Sequence, residues 1–299
     1  MLPMAKVLVT GGAGFIGSNL ARALSELGHD VITLDIRGSG RTNHIVADVV
    51  NAQSVKSACA GMDYVFHLAA VTSPPQFDDP LGEGYRVNVM GTYNVLSSSL
   101  SNGVKRVVLA SSSSVYGNTK TATMEDDLPD EYSNFYPLSK LINELTARTF
   151  LKYGLETVSL RYFNTYGMER EKGMYSSVIW KFIDDILNRR QPVIFGDGTQ
   201  SRDFIYVEDV ARATIIAMDK GRPGKAYNVG TGISTTFNDI LNIVSEEMGY
   251  GGKPKYIQNP LKSYQAFTRA DTRRAMSELG FQAAYDMRTG IRKTLERLM

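Results

Sequence analysis

Val7-Leu-Val-Thr-Gly-Gly-Ala-Gly-Phe-Ile-Gly17 decides how this chain reads: a short β-branched run ends in glycines at 11, 14 and 17 and passes straight into a helical pattern. Glycines at those steps let backbone N–H groups close on a pyrophosphate at a helix N-terminus, where the macrodipole favours negative charge. Outward from there, Asp35 ends the next strand-like run about 20 residues on, where a carboxylate accepts hydrogen bonds from adenosine ribose hydroxyls. Gly11, Gly14, Phe15, Ile16 and Gly17, with Asp35, Ile36 and Arg37, are therefore candidate dinucleotide contacts. Asp35 repels a 2′-phosphate, so NAD is expected rather than NADP, even with Arg37 and Arg41 nearby. No glycine is followed by Lys-Ser or Lys-Thr, which removes an ATP-type phosphate loop.

The same phrase recurs through the first half. Strand patterns cover Lys6 to Thr10, Val31 to Asp35, His44 to Ala47, Tyr64 to Leu68, Arg106 to Ala110 and Thr157 to Tyr162, with helical patterns starting near Gly14, Ala52, Leu81 and Pro137. Strands that alternate with helices need crossovers, so an α/β fold is expected, a doubly wound, mostly parallel Rossmann sheet covered on both faces. After Tyr162 the rhythm changes to Gly-, Asn- and Asp-rich loops, with helices near Met174 to Asn188, Glu208 to Lys220, Phe237 to Met248 and Thr272 to Leu279. The expected division is a dinucleotide-binding part over 1–165 with interleaved segments near 203–232, and a smaller cap over 166–202 and 233–299.

Composition sets the outer limits. Hydrophobic residues at 43% and charged residues at 21% of 299 exclude a disordered or fibrous chain. Lys+Arg 33 against Asp+Glu 31 leaves +2, which provides no footprint for nucleic acid or an anionic membrane. Cys59 is the single cysteine, so no intrachain disulfide forms, and with three histidines there is no zinc-type spacing and no metal site is expected. With no long apolar run, a cytoplasmic location is expected.

The second constellation is Tyr136-Pro-Leu-Ser-Lys140 at the start of a predicted helix. That spacing puts phenol and ammonium on one face. At ~4 Å and an effective dielectric of ~20, the ammonium contributes about 4 kcal/mol, on the order of three pKa units toward phenolate before desolvation. The pair is a candidate base. Ala110-Ser-Ser-Ser-Ser-Val-Tyr-Gly117 follows a strand and so emerges at the carboxyl edge of the sheet, where such folds bind ligands. One of those hydroxyls can share a proton with Tyr136. There is no Gly-x-Ser-x-Gly elbow, and His29, His44 and His67 have no triad context, which disfavours a serine hydrolase.

Together these residues resemble the extended short-chain dehydrogenase/reductase family, specifically nucleotide-sugar epimerases of the UDP-glucose 4-epimerase type. The resemblance extends through Asp48, His67-Leu-Ala-Ala70, Asn88-Val-Met-Gly-Thr92, Leu160-Arg-Tyr-Phe-Asn-Thr-Tyr-Gly167 and the run Gly196 to Val210. It implies that Asp48 and Val49 meet the adenine, that Leu68, Ala69 and Ala70 line the pyrophosphate and ribose, and that Asn88 and Tyr162 lie around the nicotinamide. It also implies Ser112 as the hydroxyl assisting Tyr136 beside Lys140, and Thr72 as a further substrate contact. In the cap, Asn164 and Arg202 would hold the diphosphate of a UDP-hexose, Phe195 would pack on its base, and Lys262 stands where relatives carry an arginine fork. Thr268 aligns with a position that narrows the sugar pocket.

The implied reaction is reversible oxidation at C4: Tyr136 takes the hydroxyl proton, hydride passes to NAD, and the 4-keto sugar turns over before receiving it back. Dehydratase and decarboxylase relatives place acids where Ser113 and Ser114 stand, and relatives that invert C3 or C5 use a cysteine near this loop, from which Cys59 is remote. The competing readings are a 6-epimerase or 4-ketoreductase on the same scaffold, or a noncatalytic NAD-binding regulator. The resemblance further implies a homodimer paired through the helices of Leu81 to Leu100 and Pro137 to Lys152.

Overall fold

The structure, a computed structural model, describes residues 4–72, 77, 82–132, 134–168, 177–259 and 265–298. Its strands are β1 (Lys6–Thr10), β2 (Asp30–Asp35), β3 (His44–Val46), β4 (Tyr64–His67), β5 (Arg106–Ser112), β6 (Glu156–Tyr162), β7 (Asn164–Tyr166), β8 (Val193–Phe195), β9 (Ser201–Tyr206), β10 (Ala226–Val229), β11 (Ser234–Thr236) and β12 (Lys255–Ile257). Seven form one sheet in the order β10-β6-β5-β4-β1-β2-β3, and every pairing in it is parallel. The doubly wound sheet is as expected, with β10 added at its edge. The direction of winding reverses between β1 and β4, which opens a crevice at their carboxyl ends, the place where such sheets hold a dinucleotide.

The helices are α1 (Phe15–Glu26), α2 (Ala52–Ala58), α3 (Glu83–Tyr85), α4 (Gly91–Ser101), α5 (Phe135–Phe150), α6 (Val178–Leu187), α7 (Val207–Lys220), α8 (Phe237–Met248) and α9 (Met287–Glu296). Side-chain caps start most of the longer ones: Asn134 accepts from the Tyr136 amide for α5, Thr236 from Asp239 for α8 and Asp286 from Thr289 for α9. α1 differs. Its N-cap is Gly14, with no side-chain cap and no acid in the first turn. Between α3 and α4 the chain widens into a π turn over Arg86–Met90, which turns Asn88 inward. The expected start of this helix at Leu81, the start of the next at Met174, and Lys262 lie outside the described residues.

One apolar layer packs α1 and α7 against the sheet through Leu20, Leu24, Val210 and Ala213, and the other packs α2, α4 and α5 through Val55, Leu96, Ala147 and Phe150. Cys59 belongs to the second layer, and burial pushes its thiol up to about 11, the behaviour of a small buried hydrophobe. A third apolar cluster joins α6, α8 and α9 to β9 through Phe182, Ile240, Ile291 and Tyr206. Two small sheets accompany it, β11-β9-β7 and β12-β8. Among the described residues no helix is long and apolar enough to cross a membrane.

Candidate active site

The crevice is built by glycine. Gly11 takes φ +71°, and a Cβ there would stand 2.7 Å from the Ala69 amide nitrogen across the β1/β4 gap. A Cβ on Gly17 would stand 2.1 Å from the Gly11 carbonyl, so only glycine lets α1 begin this close to the turn. Asp35, buried at the end of β2, receives the Ala13 and Arg37 amides on its two oxygens, each at 3.1 Å, and lies 3.5 Å from the Arg37 guanidinium. An uncapped helix end, a cradle that a single methyl would fill and a strand-end carboxylate fit the pyrophosphate and ribose of a dinucleotide. Ile36 is exposed beside Asp35. Of the two residues expected at the adenine, Asp48 accepts from Val50, whereas the Val49 side chain is buried against Gly91 and its carbonyl accepts from Asn94.

Tyr136 sits half-buried in the first turn of α5, where Pro137 costs nothing because early helix amides lack partners. Phe77 meets its ring edge-on at 5.7 Å. Burial pushes the phenol above the ordinary tyrosine range, and a hydrogen bond with the Ser112 side chain works against that rise. Lys140, 4% exposed, donates Nζ to the Ala110 carbonyl at 2.9 Å and lies 6.0 Å from the Tyr136 ring centre. Burial pulls this amine down to about 8, with the Glu144 carboxylate opposing. The expected lowering of the phenol by Lys140 is thus corrected: the ammonium is directed at a strand carbonyl, and desolvation of the phenol outweighs the help it receives. Of the four serines, Ser112 also accepts the Ser114 amide, and the Ser114 hydroxyl is buried without a partner among the described residues.

A directed chain of hydrogen bonds ties this pair to the glycine loop. The Thr92 hydroxyl donates to the Asn88 carbonyl at 2.6 Å, so it accepts from His67 Nε2–H at 2.9 Å. His67 Nδ1 then accepts from the Thr10 hydroxyl at 2.8 Å, and Thr10 accepts from the Ala69 amide at 3.3 Å. Only a neutral imidazole satisfies that sequence, and burial, with the Lys140 charge adding, pulls His67 down to about 3. The Asn88 side chain clasps Val71 through both its N–H and its carbonyl and donates to Ser139 at 3.1 Å, which donates to the Tyr136 carbonyl at 2.7 Å. Asn88 therefore fixes Val71, next to exposed Thr72, and the first turn of α5. Tyr162 turns the other way, donating to Thr214 of α7 within the first apolar layer.

Across the crevice, Arg202 of β9 is buried, bonds the Ser201 carbonyl and stacks its guanidinium 5.7 Å over Phe237. Phe195 is half-buried on β8 and outside the apolar clusters. Asn164 spends both amide hydrogens, on the Asp203 carbonyl and on Thr268, and the Thr268 hydroxyl also accepts the Asp203 amide. Thr268 is therefore a buried tie between β7, β9 and the 268–270 segment. Asp203, fully buried, accepts from Thr231, Gly232 and Ala270 and clamps the same segments.

A model of the NAD dependent epimerase/dehydratase family matches residues 7–230. The chain belongs to that family. A UDP-glucose 4-epimerase of Mycolicibacterium smegmatis is 31% identical over 307 residues, covering 97% of this chain and 97% of that protein. A UDP-N-acetyl-alpha-D-glucosaminuronate decarboxylase of Bacillus cytotoxicus is 34% identical over 256 residues, 81% of this chain and 79% of that protein. The solved structure of UDP-N-acetylglucosamine 4-epimerase from Methanobrevibacter ruminantium in complex with UDP-N-acetylmuramic acid superposes with a TM-score of 0.92 at 31% identity, over 99% of each chain. This NAD dependent epimerase/dehydratase uses the dinucleotide that its glycine cradle and Asp35 anticipated.

Several members of the site in this NAD dependent epimerase/dehydratase escaped sequence reasoning: Thr10, Ser111, Ser139, Glu144, Arg161 and Asp203. Each is a polar residue buried by partners distant in the chain. All of these but Glu144 stand inside motifs noted in the sequence, but only tertiary packing, such as the pairing of β5 with β6 and the packing of α5, reveals what they touch.

Proposed function

We propose that the enzyme inverts C4 of a UDP-hexose through a 4-keto intermediate. The observation that carries this reading is the meeting of Ser112, Tyr136 and Lys140 at the crevice with serine, not an acid, at 113 and 114. Elimination and decarboxylation need a further acid there. Held by the glycine cradle and Asp35, NAD would supply a hydride acceptor for C4 and the positive charge of its oxidised ring. Tyr136 takes and returns the C4 hydroxyl proton, Ser112 orients the reacting oxygen, and Lys140 holds the charge balance around the phenol. On the cap side, Arg202 grips the diphosphate, with Lys262 adding charge, and Phe195 packs on the base. Asn164 supports them through Thr268, because its amide hydrogens are committed. The nucleotide is thereby held while the sugar is left room to turn.

Relatives named for UDP-glucose and for UDP-N-acetylglucosamine 4-epimerisation support the reaction type and leave the sugar to experiment. Incubating the protein, without added cofactor, with UDP-glucose, UDP-galactose, UDP-N-acetylglucosamine and UDP-glucuronic acid is expected to yield C4-inverted product from at least one hexose, read by proton NMR. Release of carbon dioxide or water in place of inversion overturns the proposal.

The enzyme is further proposed to work as a cytoplasmic homodimer. Met90 and Tyr93 on the π turn and α4, and Leu145 on α5, are exposed apolar side chains on the expected helix pair, and the rings of Tyr93, Phe150 and exposed Tyr153 bridge it. Light scattering at micromolar concentration is expected to give twice the chain mass, and a monomer refutes it.

A further inference from the structure

Behind Lys140, α5 carries Glu144 one helical turn further on, and the sheet holds that carboxylate from two strands. Arg161 of β6 grips it bidentately, Nε to Oε1 at 2.9 Å and Nη2 to Oε2 at 2.7 Å, and the hydroxyl of Ser111 on β5 donates to Oε1. The side chains of Arg161 and Glu144 are 3% and 9% exposed. Arg161 uses its remaining nitrogen on the Tyr116 hydroxyl at 3.0 Å and the Glu125 carbonyl at 2.6 Å. One residue before Ser111, the Ala110 carbonyl takes the Lys140 ammonium. Two successive residues of β5 therefore fix an ammonium and a carboxylate that α5 carries on one face, at i and i+4.

A buried ion pair that is merely structural is poor value, since apolar residues of like volume usually do as well or better. This pair stands beside a third buried charge. The ionisable groups around that corner are Tyr136 and Glu144 from α5, neutral His67 from β4, Arg161 and Tyr162 from β6, and Tyr116, Glu125 and Tyr132 from the segments after β5, Glu125 lying on the Arg161 and Tyr116 side. Glu144 is the anion among them that acts on Lys140, and Arg161 is the cation that tempers it.

We propose that Glu144 is a positioning residue for the proton on Lys140: its carboxylate keeps the buried amine cationic through the pH range of turnover, and its pairing with Arg161 sets how strongly it does so. The proposal rests on the assignment of Lys140 to the catalytic group. Above the pH at which Lys140 loses its proton the site lacks the positive charge that balances the phenolate, so kcat falls on the alkaline side.

Charge removal on the two sides of the pair is expected to move that alkaline limb in opposite directions. Glu144→Gln removes the anion that acts on the amine and is expected to lower the limb by ~1–2 pH units from the wild-type position, whereas Arg161→Met leaves the carboxylate untempered and is expected to raise it by ~1 unit. A role in stability alone lowers the melting temperature in both variants and leaves the limb where it was. Should either single variant fail to fold, Glu144→Gln combined with Arg161→Met removes both buried charges together, and its limb is expected below wild type. Independently of turnover, the ¹⁵N resonance of the Lys140 side chain, assigned by its absence in Lys140→Met, is expected to titrate with the same shifts in the protein as purified. Shifts of equal sign in the two single variants, or a limb and resonance unmoved in all of them, overturn the proposal. If Lys140→Met instead converts substrate at the wild-type rate, the catalytic reading fails while the ¹⁵N titration still decides the role of Glu144.

Discussion

Tyr136→Phe is expected to lower kcat by about 10²–10⁴-fold, the range lost when a positioned proton-transfer group is removed. The change deletes one oxygen and little else. The phenyl ring keeps the edge contact with Phe77 at 5.7 Å, the helix keeps its Asn134 cap, and Ser112 retains the Ser114 amide. Because burial raises the phenol while neither cofactor nor substrate is bound, its loss strands no charge in the resting site, and stability there is expected to change by less than ~1 kcal/mol. Bound NAD, released by denaturation and assayed, is expected at wild-type stoichiometry. The decisive comparison is kcat against cofactor content. A variant that converts the nucleotide sugar at the wild-type rate removes Tyr136 from the chemistry, and one that has lost NAD as well shows instead that the substitution disturbed the crevice.

Gly17→Ala carries the second large effect, and helix propensity predicts the opposite sign. Alanine in a helix is ordinarily worth up to about 1 kcal/mol over glycine. Here the added Cβ would stand 2.1 Å from the Gly11 carbonyl oxygen and 2.8 Å from its carbon, both backbone atoms with no side-chain freedom to yield. α1 must retreat from the glycine turn, at a cost of roughly 1–3 kcal/mol, the usual range for overpacking. Retreat also withdraws the helix end from the pyrophosphate. The purified variant is expected to carry less than a tenth of the wild-type NAD and to melt at a lower temperature. Gly38→Ala, in open space after β2, is the matched control and is expected to stay within ~0.5 kcal/mol with full NAD content. Retention of NAD in Gly17→Ala would refute the cradle.

The parallel strands were legible because burial on both faces writes them as unbroken β-branched runs. β1 begins and ends where the sequence places it, and β5 runs on to Ser112, since parallel pairing with β6 continues through two serines that no propensity would assign to a strand. The cap was less legible. β7, β8, β11 and β12 are three residues each, too short for a period-two pattern, and exist by pairing with distant partners. α9 went unread because its apolar spacing rests on three residues, Met287, Ile291 and Leu295, spread over little more than two turns among Arg288, Thr289, Arg292 and Lys293, and Arg288 and Arg292 pair with Glu247 of α8.

Local chemistry in the chain was enough to determine a glycine turn that admits a dinucleotide, a carboxylate at the next strand end, and a phenol with an amine one helical turn away. Each depends on neighbours within a few residues or on the fixed rise of a helix. Tertiary structure decided what state those groups occupy. Desolvation raises the phenol and lowers the amine, Asn164 and Thr268 are committed to each other, and His67 is held neutral between two threonines. Ionisation and hydrogen-bond commitment depend on how much water is excluded and which partners arrive from elsewhere in the fold, and no spacing along the chain encodes either.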